Sequence, residues 1–303
     1  MQTGCAKDVE LVEFTSEQYK HPLEDKIYTS TLYPTYRLVE HVNEVFPHLA
    51  THYAVNIGAG DGRSCNDPVY PLFRDGYSGL AIENDLNLDL AKNIASKNVR
   101  KLIGLPVTPA NAEYLLKSSG CPLNFDFLKI DIDGFDGVIL KAILESGFLP
   151  KVVQMEVNPE FPPPFEFCVQ YDPRYLPMDS NGNYGGFYGA SLSFCVNLAI
   201  QYGYRLCSID FVTEFTHDIV LVQDPFLSAF HELTGQSLNG KSLRDIYLDH
   251  PPGYSHFAEY GIDSFAWRYR TDFFGLVTEI WSACISANFL KHGHLGVPFT
   301  LSF

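Results

Sequence analysis

Asp131 and Asp133 close the apolar run 125–130, and Glu156 and Asn158 close the run 152–157. If these runs are neighbouring strands, their ends carry three carboxylates and an amide to one edge. Such a group can do three kinds of chemistry. One carboxylate can take a proton from an acceptor hydroxyl as general base, worth roughly 10²–10⁴-fold in rate. Two or three can hold a hard divalent cation such as Mg2+, which favours oxygen ligands and lowers the pKa of a bound hydroxyl. Or they can serve structure, with Asp133 and Asp136 capping the helix that starts after Gly134. The sequence leaves all three open. Two more residues belong near this edge. Tyr188 precedes a helix and could close a pocket or pack in the core. His217, beside Asp218 at the entry to a late strand, reads first as a surface histidine.

A second constellation lies upstream. Residues 55–64 read Val-Asn-Ile-Gly-Ala-Gly-Asp-Gly-Arg-Ser, an apolar strand running into alternating glycines, Gly58, Gly60 and Gly62. Glycine lets the backbone bend sharply and a ligand come close. The next apolar run, 79–82, delivers Glu83 and then Asn84. A carboxylate there can accept hydrogen bonds from both hydroxyls of a ribose. Together these predict a nucleoside cofactor on an α/β sheet. The dinucleotide fingerprint G-x-G-x-x-G fails, because Arg63 stands where its third glycine belongs.

The spacing G-x-G-x-G instead resembles the first motif of class I S-adenosyl-L-methionine (SAM) methyltransferases. Lys129-Ile130-Asp131-Ile132-Asp133-Gly134 resembles the motif that ends the fourth strand of the FkbM-like branch, with Asp133 where Glu is commoner. There a helix and a strand ending in an acidic residue follow, as Glu156 does here. The resemblance covers residues 55–222. By position it implies cofactor contacts from Asn56, Gly58, Ala59, Gly60, Asp61, Gly62, Glu83, Asn84 and Asp131, with the adenine near 105–108. It implies catalytic roles among Asp131, Asp133, Glu156 and Tyr188. The expected activity is O-methylation of a small hydroxylated or carboxylated metabolite, with no metal site assigned and Mg2+ left open. A nicotinamide-dependent oxidoreductase and a non-catalytic methyltransferase-like module are the alternatives.

Composition narrows the partners. The net charge of −15 disfavours a phosphate backbone, and no basic patch offsets it, so nucleic acid is not expected. No apolar run approaches the roughly 20 residues of a membrane span. The N-terminal residues lack an apolar signal core. Seven cysteines at irregular spacing, with no C-x-x-C pair, argue against a zinc site or a disulfide framework. These features predict a reduced, cytoplasmic protein.

The elements that must carry these residues alternate. Strands are expected at 52–57, 78–83, 99–105, 125–131 and 152–157, with helices at 65–74, 86–97, from near Pro109, and at 135–147. This predicts a doubly wound, mostly parallel, seven-stranded Rossmann-like sheet. A helix at 190–202 and an antiparallel pair, 204–209 and 219–222, should close it. Residues 1–50 form a lead-in with a helix at 33–45, and 51–224 the SAM-binding domain. Within that domain 159–188 lacks periodicity and reads as a loop covering the substrate. Residues 225–303 form an extension with a turn at 250–254 and a helix at 271–288. It could pack on the domain, complete the pocket or support a homodimer.

Overall fold

The computed structural model describes residues 35–63, 67–86, 89–174, 188–211, 217–235, 241–249, 267, 272, 275–282 and 299–302. The chain begins with α1 (Thr35–Val45), β1 (Tyr53–Ile57), α2 (Val69–Arg74), β2 (Ser78–Glu83), α3 (Asp89–Asn93) and β3 (Val99–Ile103). It continues through α4 (Ala112–Ser118), β4 (Phe127–Ile130), α5 (Asp136–Glu145), β5 (Val152–Val157), β6 (Glu166–Val169), α6 (Leu192–Gln201), β7 (Tyr204–Phe211) and β8 (His217–Gln223). It ends with α7 (Leu227–Thr234), α8 (Leu243–Asp249), α9 (275–282) and β9 (Phe299–Ser302).

Seven strands form one sheet in the order β3-β2-β1-β4-β5-β8-β7. The first five run parallel, and β8 is antiparallel both to β5 and to β7. β8 is therefore the one reversed strand, and β7 points the same way as β1 to β5. Every residue of β1, β4 and β5 is buried, as strands covered on both faces must be. On one face Val55, Leu128, Ile130 and Met155 pack against Leu116, Ile139, Ile143, Val196 and Tyr247 of α4, α5, α6 and α8. On the other, Ala54, Phe127 and Val152 meet Val39, Leu72, Leu90 and Phe230 of α1, α2, α3 and α7.

A buried ion pair fastens the amino-terminal edge of the sheet. Lys151 donates to Asp126 Oδ1 at 2.6 Å, and both side chains are 1% exposed. Asp126 also accepts from the backbone of Thr51 and His52 and from Asn43, which in turn accepts from Lys151. The end of α1 and the starts of β1, β4 and β5 thus share one fully bonded charge pair.

Several elements differ from expectation. The helix expected to run to residue 97 stops at Asn93, and beyond its end Lys101 Nζ donates to the carbonyls of Ile94 and Ser96 at 2.9 and 2.8 Å. The helix expected from Pro109 starts at Ala112. Thr108 and Asn111 exchange backbone-to-side-chain hydrogen bonds at 2.7 and 3.2 Å and hold the intervening residues in a turn. The segment expected to lack regular structure contains β6, which pairs antiparallel with β9. Phe161, Phe165, Phe167 and Val169 there share a small core with Trp267, Leu276 and Ile280 of the C-terminal extension. Phe161 and Phe167 stack with centroids 4.0 Å apart. The expected turn at 250–254 lies outside the described residues.

Candidate functional site

β1 ends against the carboxyl edge of β4, and glycine makes this contact feasible. Gly58, Gly60 and Gly62 all have positive φ. A Cβ on Gly58 would lie 1.7 Å from the carbonyl oxygen of Asp131, so the chain passes there only without a side chain. Gly60 is different: its Cβ would meet no atom of the described residues within 4 Å. It borders open space at the sheet edge, where α/β ligands bind.

Glu83, at the end of β2, reaches this turn. Its Oε2 accepts from Gly60 N at 2.6 Å and its Oε1 from Asp85 N at 2.9 Å. A carboxylate has about four acceptor positions, so about two remain for a ligand. The backbone of Leu105 donates to the Glu83 carbonyl at 3.2 Å, which brings the expected adenine region 105–108 beside the same strand end. Asp61 is half-buried and accepts from Arg63 N, Asn84 is exposed, and Ala59 is buried. Asn56 lies behind the turn, buried in β1, with its amide donating to Asp67 at 2.6 Å. It shapes the strand rather than the open rim.

The acid cluster forms as its position in the strands requires. Asp131, Asp133 and Glu156 each bring a carboxylate oxygen within 4.8 Å of the others. Asp136 does not join them. Its two oxygens accept from Ile132 N and Gly134 N, both at 3.0 Å, and fix the turn into α5. The capping role considered for Asp136 is not what its geometry serves: it is the first residue of α5 and bonds the turn before the helix, while the N-cap, Phe135, makes no side-chain cap bond. Asp131 Oδ2 pairs with Lys129 Nζ at 3.0 Å. Glu156 is 4% exposed, and its Oε2 has no hydrogen-bond partner among the described residues.

Burial pushes the Glu156 carboxyl well above the ordinary range, and the charges of Asp131, Asp136, Asp133 and Asp218 add to the shift. Burial, with two backbone donors opposing it, also raises Asp136. Asp218 is pushed up to about 6, mainly by burial and then by Asp131, against the Gln154 amide and Lys129. Burial alone would lower Lys129, but the carboxylates of Asp67, Asp131 and Asp218 outweigh it and hold the ammonium above its ordinary pKa.

A polar column not identified in the sequence runs beneath the cluster. Register aligns Lys129 with Gln154 and Glu156 with Asp218, all on the face covered by α1. Thr35 donates to Gln154 Oε1, and Gln154 Nε2 donates to Asp218 at 2.6 Å. A lysine inside Phe-Leu-Lys-Ile and a glutamine inside Val-Val-Gln-Met were the available signals. A strand buried on both faces carries such groups only with partners.

The remaining candidates lie close to the same edge. Tyr188 is buried, and its carbonyl accepts from Asn158 Nδ2 at 2.9 Å. Asn158 Oδ1 accepts from Glu160 N, so this side chain locks the exit of β5. Ser191, at the N-cap of α6, bonds to Phe165 and Phe167 and ties that helix to β6. His217 is not on the surface. It is the first residue of β8, 3% exposed, in register with Val157.

No protein-family model matches the chain, and no curated protein sequence matches it. Among solved structures, the chain is similar to a protein of the NADB-Rossmann superfamily from Streptococcus agalactiae. The identity is 11% over 80% of this chain and 96% of that one, with a TM-score of 0.36. It is also similar to the pyocyanin biosynthetic protein PhzM, at 13% identity over 62% of this chain and 55% of that one, with a TM-score of 0.33. A third similarity is to the O-methyltransferase NcsB1 from neocarzinostatin biosynthesis, solved with S-adenosyl-L-homocysteine and 1,4-dihydroxy-2-naphthoic acid. It has 13% identity over 63% of this chain and 56% of that one, with a TM-score of 0.30. These likenesses are remote, and what the site can do is read from its own residues.

Proposed function

We propose that this chain is a SAM-dependent methyltransferase of the FkbM-like kind that methylates an oxygen of a small hydroxylated or carboxylated acceptor. The supporting observation is the glycine turn at Gly60, open on its ligand side and tied at 2.6 Å to Glu83. Its residues suit a nucleoside cofactor. Gly60 leaves room for close approach, Glu83 keeps acceptor positions for ribose hydroxyls, and Asp131 offers negative charge beside Gly58. Two features weigh against a dinucleotide. Arg63 replaces the third fingerprint glycine, and β8 runs against its neighbours, whereas the dinucleotide sheet 3-2-1-4-5-6 is parallel throughout.

When bound, SAM supplies an electrophilic methyl group on a sulfonium centre. The chain's own part is to position and to move a proton. Holding the acceptor in line can supply on the order of 7–11 kcal/mol in favourable cases. The acceptor belongs against Asp131, Asp133 and Glu156, one of whose carboxylates takes its hydroxyl proton. The small acceptor, the absence of nucleic acid or membrane partners and a reduced cytoplasmic setting are parts of the same reading. It is supported by the net charge of −15, by the buried free thiols of Cys121, Cys168, Cys195 and Cys207, and by the lack, among the described residues, of a helix able to cross a membrane.

Methyl-labelled SAM incubated with pooled small hydroxylated and carboxylated compounds tests the proposal. Labelled ethers or esters are expected, at a rate cut roughly 10²–10⁴-fold by Asp131→Asn if Asp131 is the base. Label found only on nitrogen or sulfur would overturn the O-methyl assignment.

A further inference from the structure

We propose that Asp131, Asp133 and Glu156 form a binding site for one hard divalent cation, Mg2+ or Mn2+, at the carboxyl edge of β4 and β5. The convergence of three carboxylate oxygens within 4.8 Å is one observation. The second is independent of it: Glu156 is 4% exposed and its Oε2 has no hydrogen-bond partner among the described residues. A buried polar atom without a partner is costly and calls for a ligand.

The neighbouring donors have other partners. Lys129 Nζ sits 3.0 Å from Asp131 Oδ2. The Gln154 amide donates to Asp218. The backbone N–H groups of Ile132 and Gly134 go to Asp136. Lys129 also faces Asp67 and Asp218, so among the described residues its one ammonium is shared between Asp131 and two further carboxylates.

The donor set chooses the class of ion. It is all carboxylate oxygen, with neither thiolate nor imidazole, which suits hard cations rather than zinc or copper. What the ion does rests on the methyltransferase reading. Beside the turn at Gly58, it would accept an oxygen of the acceptor as a further ligand and lower that hydroxyl's pKa. It therefore favours acceptors that offer two adjacent oxygens, such as vicinal diols or hydroxy acids, over lone alcohols.

The test is titration of Mn2+ alone into the chelator-treated full chain, read by electron paramagnetic resonance without SAM or acceptor. One Mn2+ per chain is expected, displaced by excess Mg2+. Asp133→Asn and Glu156→Gln should each weaken it at least tenfold, while Asp172→Asn, a half-buried position outside the cluster and paired with Arg174, should leave it unchanged. Glu156→Gln keeps size and removes charge; if it nevertheless misfolds, half-buried Asp133→Asn probes the same site. No bound Mn2+ at millimolar concentration, or unchanged affinity in a folded Asp133→Asn or Glu156→Gln variant, would overturn the proposal. Because SAM is absent, this outcome is separate from whether the chain transfers methyl groups.

Discussion

Replacing Gly58 and Gly60 with alanine, one at a time, separates scaffold from site within three residues. Both have positive φ, and an L-residue held there costs about 1–2 kcal/mol. For Gly60 that is the main cost, because a Cβ meets no described residue within 4 Å. For Gly58 the Cβ would lie 1.7 Å from Asp131 O and 2.6 Å from its carbonyl carbon, so β1 and β4 must part. The hydrogen bond from Asp131 N to Ile57 O at 3.0 Å would be strained or lost, about 1 kcal/mol, and overpacking adds about 1–3 kcal/mol. Gly58→Ala should therefore cost about 3–6 kcal/mol, against about 1–2 kcal/mol for Gly60→Ala. Ligand affinity should behave oppositely in the folded protein. The methyl of Gly60→Ala projects into the space a cofactor would fill, and at least a tenfold loss is expected, about 1.4 kcal/mol. Urea unfolding followed by tryptophan fluorescence gives the stabilities, and titration calorimetry with S-adenosylhomocysteine gives the affinity. A folded Gly60→Ala variant that binds like the parent would refute the idea that the turn backs the ligand. Equal stability losses at both positions would refute the packing of Gly58 on Asp131.

Lys151→Met should cost about 3–5 kcal/mol by leaving Asp126 buried and uncompensated, and an unchanged urea midpoint would contradict the pairing. Asp218 ionises near 6 in the fold against 3.8 when free, so the fold holds its proton more tightly and native stability falls as pH rises between those values, by about 3 kcal/mol at most. Asp218→Asn should therefore stabilise the chain at pH 8 but not at pH 3.5, in unfolding curves taken with chelator present; equal effects at both would contradict the shift. Phe161→Ala should lower stability by about 3–5 kcal/mol through the core shared with Trp267, and a neutral result in thermal melts would mean the segment is not packed as described.

The sheet was legible because its signals are local. Apolar runs, the turn at Gly58 to Gly62 and the acid at each strand end all lie within a few residues of one another. Asp136 was legible as an acid at a helix start for the same reason, but that it braces the turn at Ile132 and Gly134 was not. What escaped needs a distant partner. β6 looks irregular among Pro162, Pro163 and Pro164, and its strand mate, β9, stands at the far end of the chain. Beyond the early stop of α3, Lys101, a strand residue, reaches back with its side chain. In the site, the residue types at the edge were readable, but their division of labour was not. That Glu83 holds the turn, that Asn56 turns to Asp67, and that Lys129, Gln154 and Asp218 form a column all follow from register, which single-strand patterns do not reveal. His217 looked like a surface residue because its burial depends on where β8 inserts.

We propose that a SAM-type nucleoside binds at the edge between Gly60 and Glu83. Equilibrium dialysis of the full chain against labelled S-adenosylhomocysteine and, separately, labelled NAD+ tests it most directly. One equivalent of S-adenosylhomocysteine per chain, weakened at least tenfold by Glu83→Ala, with no saturable NAD+, is the predicted result. Saturable NAD+ without S-adenosylhomocysteine would contradict the account.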